Sequence, residues 1–135
     1  LQSSHVLPAL IKKFHDAKIN QDDEVICWGS GTPLREFLYS DDLAKALVFL
    51  MCNYSDEQFI NVGSGSEITI RDLAEMVRET IGFNGSVVWD STKPNGTPRK
   101  LMDSNRLFDL GWRPTVDLEE GIGLAYEDFK SNWEK

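Results

Sequence analysis

Apolar residues in this chain alternate between two arrangements. Some recur every three to four positions, others form short runs, and each change falls at glycine, proline or polar residues. The first spacing suits helices with one buried stripe and the second suits short strands. The alternation predicts an α/β (mixed α+β) fold rather than a helical bundle or a sandwich.

Val6 to Lys18 reads as a helix with Val6, Leu10, Ile11 and Phe14 on one side, and Pro8 is tolerated in its first turn. Glu24 to Trp28 reads as a strand, Gly29-Ser30-Gly31-Thr32-Pro33 as a loop, and Arg35 to Tyr39 as a second strand. A helix is expected from Ser40 to about Cys52, with Ser40 as its cap and Asp41 and Asp42 favoured by the positive helix end. Adjacent helical residues do not face each other, so this acidic pair reads as cap and surface rather than a catalytic dyad. Leu43, Leu47 and Leu50, widened by Ala44, Val48 and Met51, make this helix apolar on several sides, so it expects cover on more than one face.

Phe59 to Val62 reads as a strand. Thr69 and Asp72 form a capping-box pattern opening a helix that buries Leu73, Met76, Val77 and Ile81 and ends at Gly82. Ser86 to Trp89 reads as a strand, Ser91 to Arg99 as a loop, Lys100 to Met102 as extended, and Asn105 to Leu110 as a short helix. The last helix, Leu118 to Trp133, directs Leu118, Ile122, Ala125, Tyr126 and Phe129 inward.

At 135 residues the chain suits one domain with a modest core. No apolar run approaches the roughly 18 residues of a membrane helix. LQSSHVLPAL lacks the charge-then-apolar pattern of a secretory leader. The first residue is not Met, which fits a fragment or a processed product. A net charge of −8 disfavours nucleic acid and anionic membranes as partners. Within this acidic chain Lys93, Arg99 and Lys100 form a local basic stretch suited to a phosphate-bearing small molecule. Cys27 and Cys52 have no metal-binding spacing and read as reduced core residues of a cytoplasmic protein.

Several residues have chemistry that suits a ligand. The imidazole of His5 titrates near neutral pH, as a proton-transfer group requires, and otherwise it is a surface histidine at a helix start. Arg35 ends a glycine-rich loop, where a guanidinium can grip phosphate oxygens in pairs, and otherwise it pairs with Glu36 or Asp41. Lys13 is a second phosphate candidate or a solvated helix lysine. Trp28 lies against a ligand or packs at a strand end. Asn95, Arg99 and Lys100 occupy a loop that either reaches a nucleotide or is solvated. Trp89, Trp112 and Trp133 read as core or surface anchors. The two Gly-x-Gly pairs, at 29–31 and 63–65, lack the third glycine and strand-turn-helix context of a pyrophosphate loop and read as turns.

Four stretches, SHVLPALIKKFHDAK, VICWGSGTPLREFLYSDDLAKAL, INVGSGSEITIRDLAE and DSTKPNGTPRKLMD, carry a likeness that extends over nearly the whole chain. The chain resembles the C-terminal part of the GDP-L-fucose synthase family, which are NADPH-dependent extended short-chain dehydrogenase/reductases. That resemblance implies epimerisation of GDP-4-keto-6-deoxy-D-mannose at C3 and C5, then reduction at C4. It implies His5 as acid/base and as a cofactor contact, and Lys13, Trp28, Arg35, Asn95, Arg99 and Lys100 as substrate-binding residues. Relatives often carry Asp where Asn95 stands. The family's catalytic Cys belongs to its N-terminal domain, so neither cysteine here matches it. No glycine-rich cofactor loop occurs, so the N-terminal Rossmann half is expected to be missing from this chain.

From this follow further expectations. NADPH is held mainly outside the chain, residues 40–63 pack on the absent cofactor domain, and the fragment alone is inactive. The parent enzyme is expected to be a cytoplasmic homodimer acting on a GDP-sugar. Another nucleotide-sugar epimerase/dehydratase domain, a non-catalytic GDP-sugar binding module and a ligand-free interaction domain are the alternatives.

Overall fold

The structure is a computed structural model and describes residues 5–133, with the backbone alone at Trp133. Ser4, part of the first motif, and the Trp133 side chain lie outside the described residues.

The elements, in chain order, are α1 (Val6–Asn20), β1 (Glu24–Trp28), β2 (Leu34–Glu36), α2 (Ser40–Asn53), β3 (Glu67–Thr69), α3 (Ile70–Ile81), β4 (Ser86–Asp90), β5 (Arg99–Lys100), α4 (Asn105–Asp109) and α5 (Leu118–Trp133). The mixed α/β expectation holds. β1 and β4 form a parallel pair, and β2 lies between antiparallel β3 and parallel β5.

The main core lies on one face of the β1–β4 pair. Leu10, Ile11, Phe14 and Ala17 of α1, Val25 and Cys27 of β1, Leu73, Ala74, Val77 and Ile81 of α3, and Ile122 and Tyr126 of α5 are buried together. The stripes read for α1, α3 and α5 are therefore the buried ones, and Ala17 and the buried His15 extend the first. His15 Nδ1 lies 3.1 Å from the Tyr126 hydroxyl, with the Phe129 ring edge-on. Burial pushes the Tyr126 hydroxyl pKa up. α3 starts as read: the Thr69 hydroxyl accepts the Asp72 N–H at 3.0 Å and donates to the Asp72 carboxylate at 2.6 Å. Gly82 ends it in the left-handed conformation.

The opposite face of β1 is open. Trp28 is 56% exposed and Ile26 50%. Parallel strands are ordinarily covered on both faces, so this side resembles an unfinished layer.

α2 belongs to a second cluster, in which Ala46 and Leu50 pack on Leu107 and Trp112. Three readings change here. Ser40 is the first helical residue rather than the cap: Tyr39 occupies the cap position without a side-chain bond. Asp42 is fully buried rather than on the surface, because its carboxylate accepts the N–H groups of Thr115 and Val116 and the Thr115 hydroxyl, each at 2.7–2.8 Å. Burial pushes this carboxyl up in pKa, but the Val116 and Thr115 hydrogen bonds and the Lys45 charge outweigh it, leaving a value of about 2. Cys52 is exposed rather than in the core, since it projects from the uncovered side of α2.

Phe59 to Val62 is no strand, because no neighbouring strand takes its ladder bonds. Ile60 and Val62 instead pack on the α2–α4 cluster, while Arg106 donates to the Phe59 carbonyl at 3.2 Å and Asn61 to the Asp103 carbonyl at 3.0 Å. β2 starts and ends earlier than the Arg35–Tyr39 reading, and β5 covers Arg99–Lys100 rather than residues 100–102. β3 was not foreseen.

Candidate functional site

The predicted residues fall into three groups. The first surrounds Trp28 at the open end of β1. Lys13 projects from α1 across the strand, so its ammonium lies 5.6 Å from the indole centroid and donates to the Ile26 carbonyl at 2.9 Å. Lys93, in the turn after β4, places a second ammonium 5.7 Å from the same ring. A half-exposed indole flanked by two cations offers a planar apolar surface with positive charge beside it, which suits an anion carrying a ring or a sugar.

The loop after β1 borders this group. Gly29 and Gly31 have φ of +82° and +76°. A Cβ on Gly29 would collide with the Asn95 carboxamide, and one on Gly31 would stand 2.8 Å from Trp89. Glycine is therefore needed twice, for conformation and for space. Asn95 accepts from the Ser30 N–H at 2.6 Å and from its hydroxyl at 3.0 Å, which joins the 29–33 loop to the 91–98 loop.

The second group lies on the three-stranded sheet. Register sets Arg35 beside Lys100, and Arg99 beside Leu34. Because neighbouring strand residues point to opposite faces, Arg35 and Lys100 share one face and Arg99 takes the other. Arg99 pairs with Glu67 at 2.8 Å, and that bond and charge raise its pKa. The basic stretch Lys93, Arg99 and Lys100 is thus divided among three places. Arg35 donates to the Leu34 carbonyl at 2.7 Å. Among the described residues it pairs with neither Glu36 nor Asp41. The Glu36 carboxylate instead accepts the N–H groups of Gly65 at 2.7 Å and Met102 at 3.2 Å.

His5 stands apart, exposed at the start of α1, where its carbonyl accepts the Ala9 N–H. Eight residues, roughly 12 Å of helical rise, separate it from Lys13.

A cavity of about 660 Å³ lies elsewhere, between the 37–40, 64–68 and 114–125 segments. Its walls are mostly apolar, and none of the seven predicted residues lines it. The charged groups fix the candidate site better than this hollow does, since an anion needs cations. Among the described residues no group of His, Cys, Asp and Glu could hold a metal ion, and no helix is long and apolar enough to cross a membrane. Burial raises the pKa of the Cys27 thiol, which keeps it protonated and unreactive.

Ser30 and Arg71 escaped the sequence reading. Arg71 had one legible signal: it is a cation in the first turn of α3, where the helix dipole disfavours positive charge.

Residues 1–63 match the NAD dependent epimerase/dehydratase family. The chain is 59% identical over 131 residues to the Putative GDP-L-fucose synthase 2 of Arabidopsis thaliana, covering 97% of this chain and 40% of that protein. It is 43% identical to the GDP-L-fucose synthase of Escherichia coli, covering 98% and 44%. The GDP-L-fucose synthetase of Naegleria fowleri bound to NADP superposes with a TM-score of 0.90 at 32% identity, covering 98% and 42%. The chain therefore spans about 40% of the length of the curated relatives it matches. Over nearly its whole length the chain is thus similar to GDP-L-fucose synthases, and over its first 63 residues to the NAD dependent epimerase/dehydratase family.

Proposed function

We propose that this chain is the substrate-binding part of an NADPH-dependent GDP-4-keto-6-deoxy-D-mannose epimerase/reductase that makes GDP-L-fucose. The observation carrying this reading is the Trp28 ring flanked by the Lys13 and Lys93 ammoniums, within a chain so similar to GDP-L-fucose synthases. The ring and cations suit a nucleotide diphosphate. Arg35 and Lys100 add positive charge across the Asn95 loop, with the Arg35 guanidinium 3.7 Å from where a Gly96 side chain would begin. Arg99 serves the same ligand only if its pairing with Glu67 gives way.

Epimerisation next to a ketone removes a proton whose electron pair the carbonyl accepts, and returns one on the other face. The His5 imidazole suits one of these transfers. The second acid/base is supplied from outside this chain. NADPH does not fit the described residues beyond a contact at His5. The one glycine-rich loop after a parallel strand has its Cβ positions occupied by Asn95 and Trp89, leaving no cradle for a pyrophosphate. The apolar side of α2 and residues 54–63 are the surface against which the cofactor-binding part packs, and the whole enzyme is a homodimer in the cytoplasm.

Calorimetric titration of the protein with GDP-fucose, GDP and dTDP tests the reading. GDP-selective binding is expected, and equal affinity for dTDP would favour a different nucleotide-sugar enzyme. Absence of binding with any of the three at millimolar concentration, in a protein that also carries a cofactor domain, would end the proposal.

A further inference from the structure

Arg71 lies outside the cationic groups, yet it determines the shape of the loop between them. Its guanidinium Nη2 donates to the Ser30 carbonyl at 2.6 Å, and its backbone N–H donates to the Gly31 carbonyl at 2.9 Å. Two consecutive carbonyls of the 29–33 loop are thus held by one residue. The guanidinium also lies 4.8 Å over the Trp89 ring, which limits its swing. With both carbonyls turned toward Arg71, the Ser30 N–H and hydroxyl are left to face Asn95, and both donate to the Asn95 carboxamide. Gly31 leaves room for this arrangement: a Cβ there would stand 2.9 Å from the Arg71 Cβ and 2.8 Å from the Trp89 ring. The residues form one relay, Trp89 to Arg71 to Ser30 to Asn95, that begins in β4, passes through α3 and ends in the candidate nucleotide loop. The charge of Arg71 opposes the α3 dipole, a local cost that helix formation alone does not explain.

We infer that Arg71 is a positioning residue for nucleotide-sugar binding: it clamps the 29–33 loop so that Ser30 fixes Asn95 and the 91–98 loop beside Trp28. The ligand half of this inference rests on the proposed function, while the clamp itself does not. Arg71 acts through Ser30 and Asn95, so its loss loosens the receiving loop without removing a ligand contact.

The test compares wild-type, Arg71→Ala, Arg71→Lys, Asn95→Ala and the Arg71→Ala/Asn95→Ala double variant by amide hydrogen exchange and GDP titration. In the unliganded protein, Arg71→Ala should speed exchange of the Ser30 amide about tenfold, the scale of one lost charge-assisted hydrogen bond, while the α3 core amides of Leu73 and Val77 keep their rates. Arg71→Lys, which retains a donor for the Ser30 carbonyl, should restore most of the protection. The GDP dissociation constant should rise about tenfold in Arg71→Ala, and adding Asn95→Ala should raise it less than threefold further, because both changes break the same relay. A general loss of stability would instead speed the Leu73 and Val77 amides alongside Ser30 and would overturn the positioning role. Unchanged Ser30 exchange with normal GDP binding sinks the clamp and retains the nucleotide reading. Faster Ser30 exchange in a protein whose wild type binds no GDP sinks the nucleotide reading and retains the clamp.

Discussion

α3 and α2 have similar lengths and opposite relations to the rest of the chain. α3 buries Leu73, Ala74, Val77 and Ile81 between α1 and α5, and its remaining faces carry Arg71, Asp72, Glu75, Arg78 and Glu79. The elements around it use all of its apolar surface. α2 buries only Asp42, Ala46 and Leu50. Leu47, Val48 and Met51 project from its other side at 51%, 61% and 84% exposure. A helix with two apolar sides is written for two neighbours, and the described residues supply one. The contrast separates a unit that completes its own core from an element whose second apolar side the described residues leave uncovered.

The largest effect is expected in α3. Leu73 is wholly enclosed, so Leu73→Ala removes buried methyl groups and leaves a cavity that three packed helices cannot easily close. Urea denaturation should show a loss of about 3 kcal/mol. A loss below about 1 kcal/mol would mean that the main core is looser than its packing indicates, and the contrast with α2 would weaken.

The next effect belongs to the closed side of α2. Asp42 secures this helix to the Thr115–Val116 turn, and its carboxyl pKa is held down at about 2, against roughly 3.9 in an unfolded chain. A depressed folded pKa gives stability that is complete above about pH 4 and is lost as pH falls toward 2. Asp42→Asn keeps one acceptor but turns an amide N–H toward backbone donors, and should cost on the order of 2 kcal/mol at neutral pH. It should also flatten the decline in thermal midpoint between pH 4 and pH 2. A variant that declines as steeply as wild type would show that another carboxylate carries the acid sensitivity.

This pair of helices also shows what could be read in advance. α3 was legible because spacing, cap and glycine stop all lie within one short segment, and α5 because of its spacing. Asp42 was not, because its partners lie more than seventy positions away and an acidic residue in a first helical turn already has a sufficient local explanation. The run at 59–62 was misread for a related reason: half-burial against α4 gives the same apolar signature as a strand, and only a pairing partner distinguishes the two. The candidate site was legible as residue types but not as an arrangement. Nothing local brings Lys13 of α1 to Trp28 of β1, and only strand register sets Lys100 beside Arg35. Arg71 was overlooked because its partners are backbone carbonyls, which no side-chain pattern reports.

The smallest expected effect is the most direct test of the contrast. Val48 and Ala46 lie two residues apart on α2, one exposed and the other wholly buried. In the 135-residue chain, Val48→Lys removes no packing and should change stability by less than about 0.5 kcal/mol, the usual range for a surface position. Ala46→Lys would force an ammonium into the α2–α4 cluster and should prevent that cluster from closing. If α2 has a second neighbour in a longer form of the protein, Val48→Lys there buries an unpaired charge, and its cost should rise to about 2 kcal/mol or more. The diagnostic quantity is the difference between the two measurements of one substitution. Equal small values in both forms would leave the apolar side of α2 exposed in the whole protein, and the division between a self-sufficient α3 and a dependent α2 would fail.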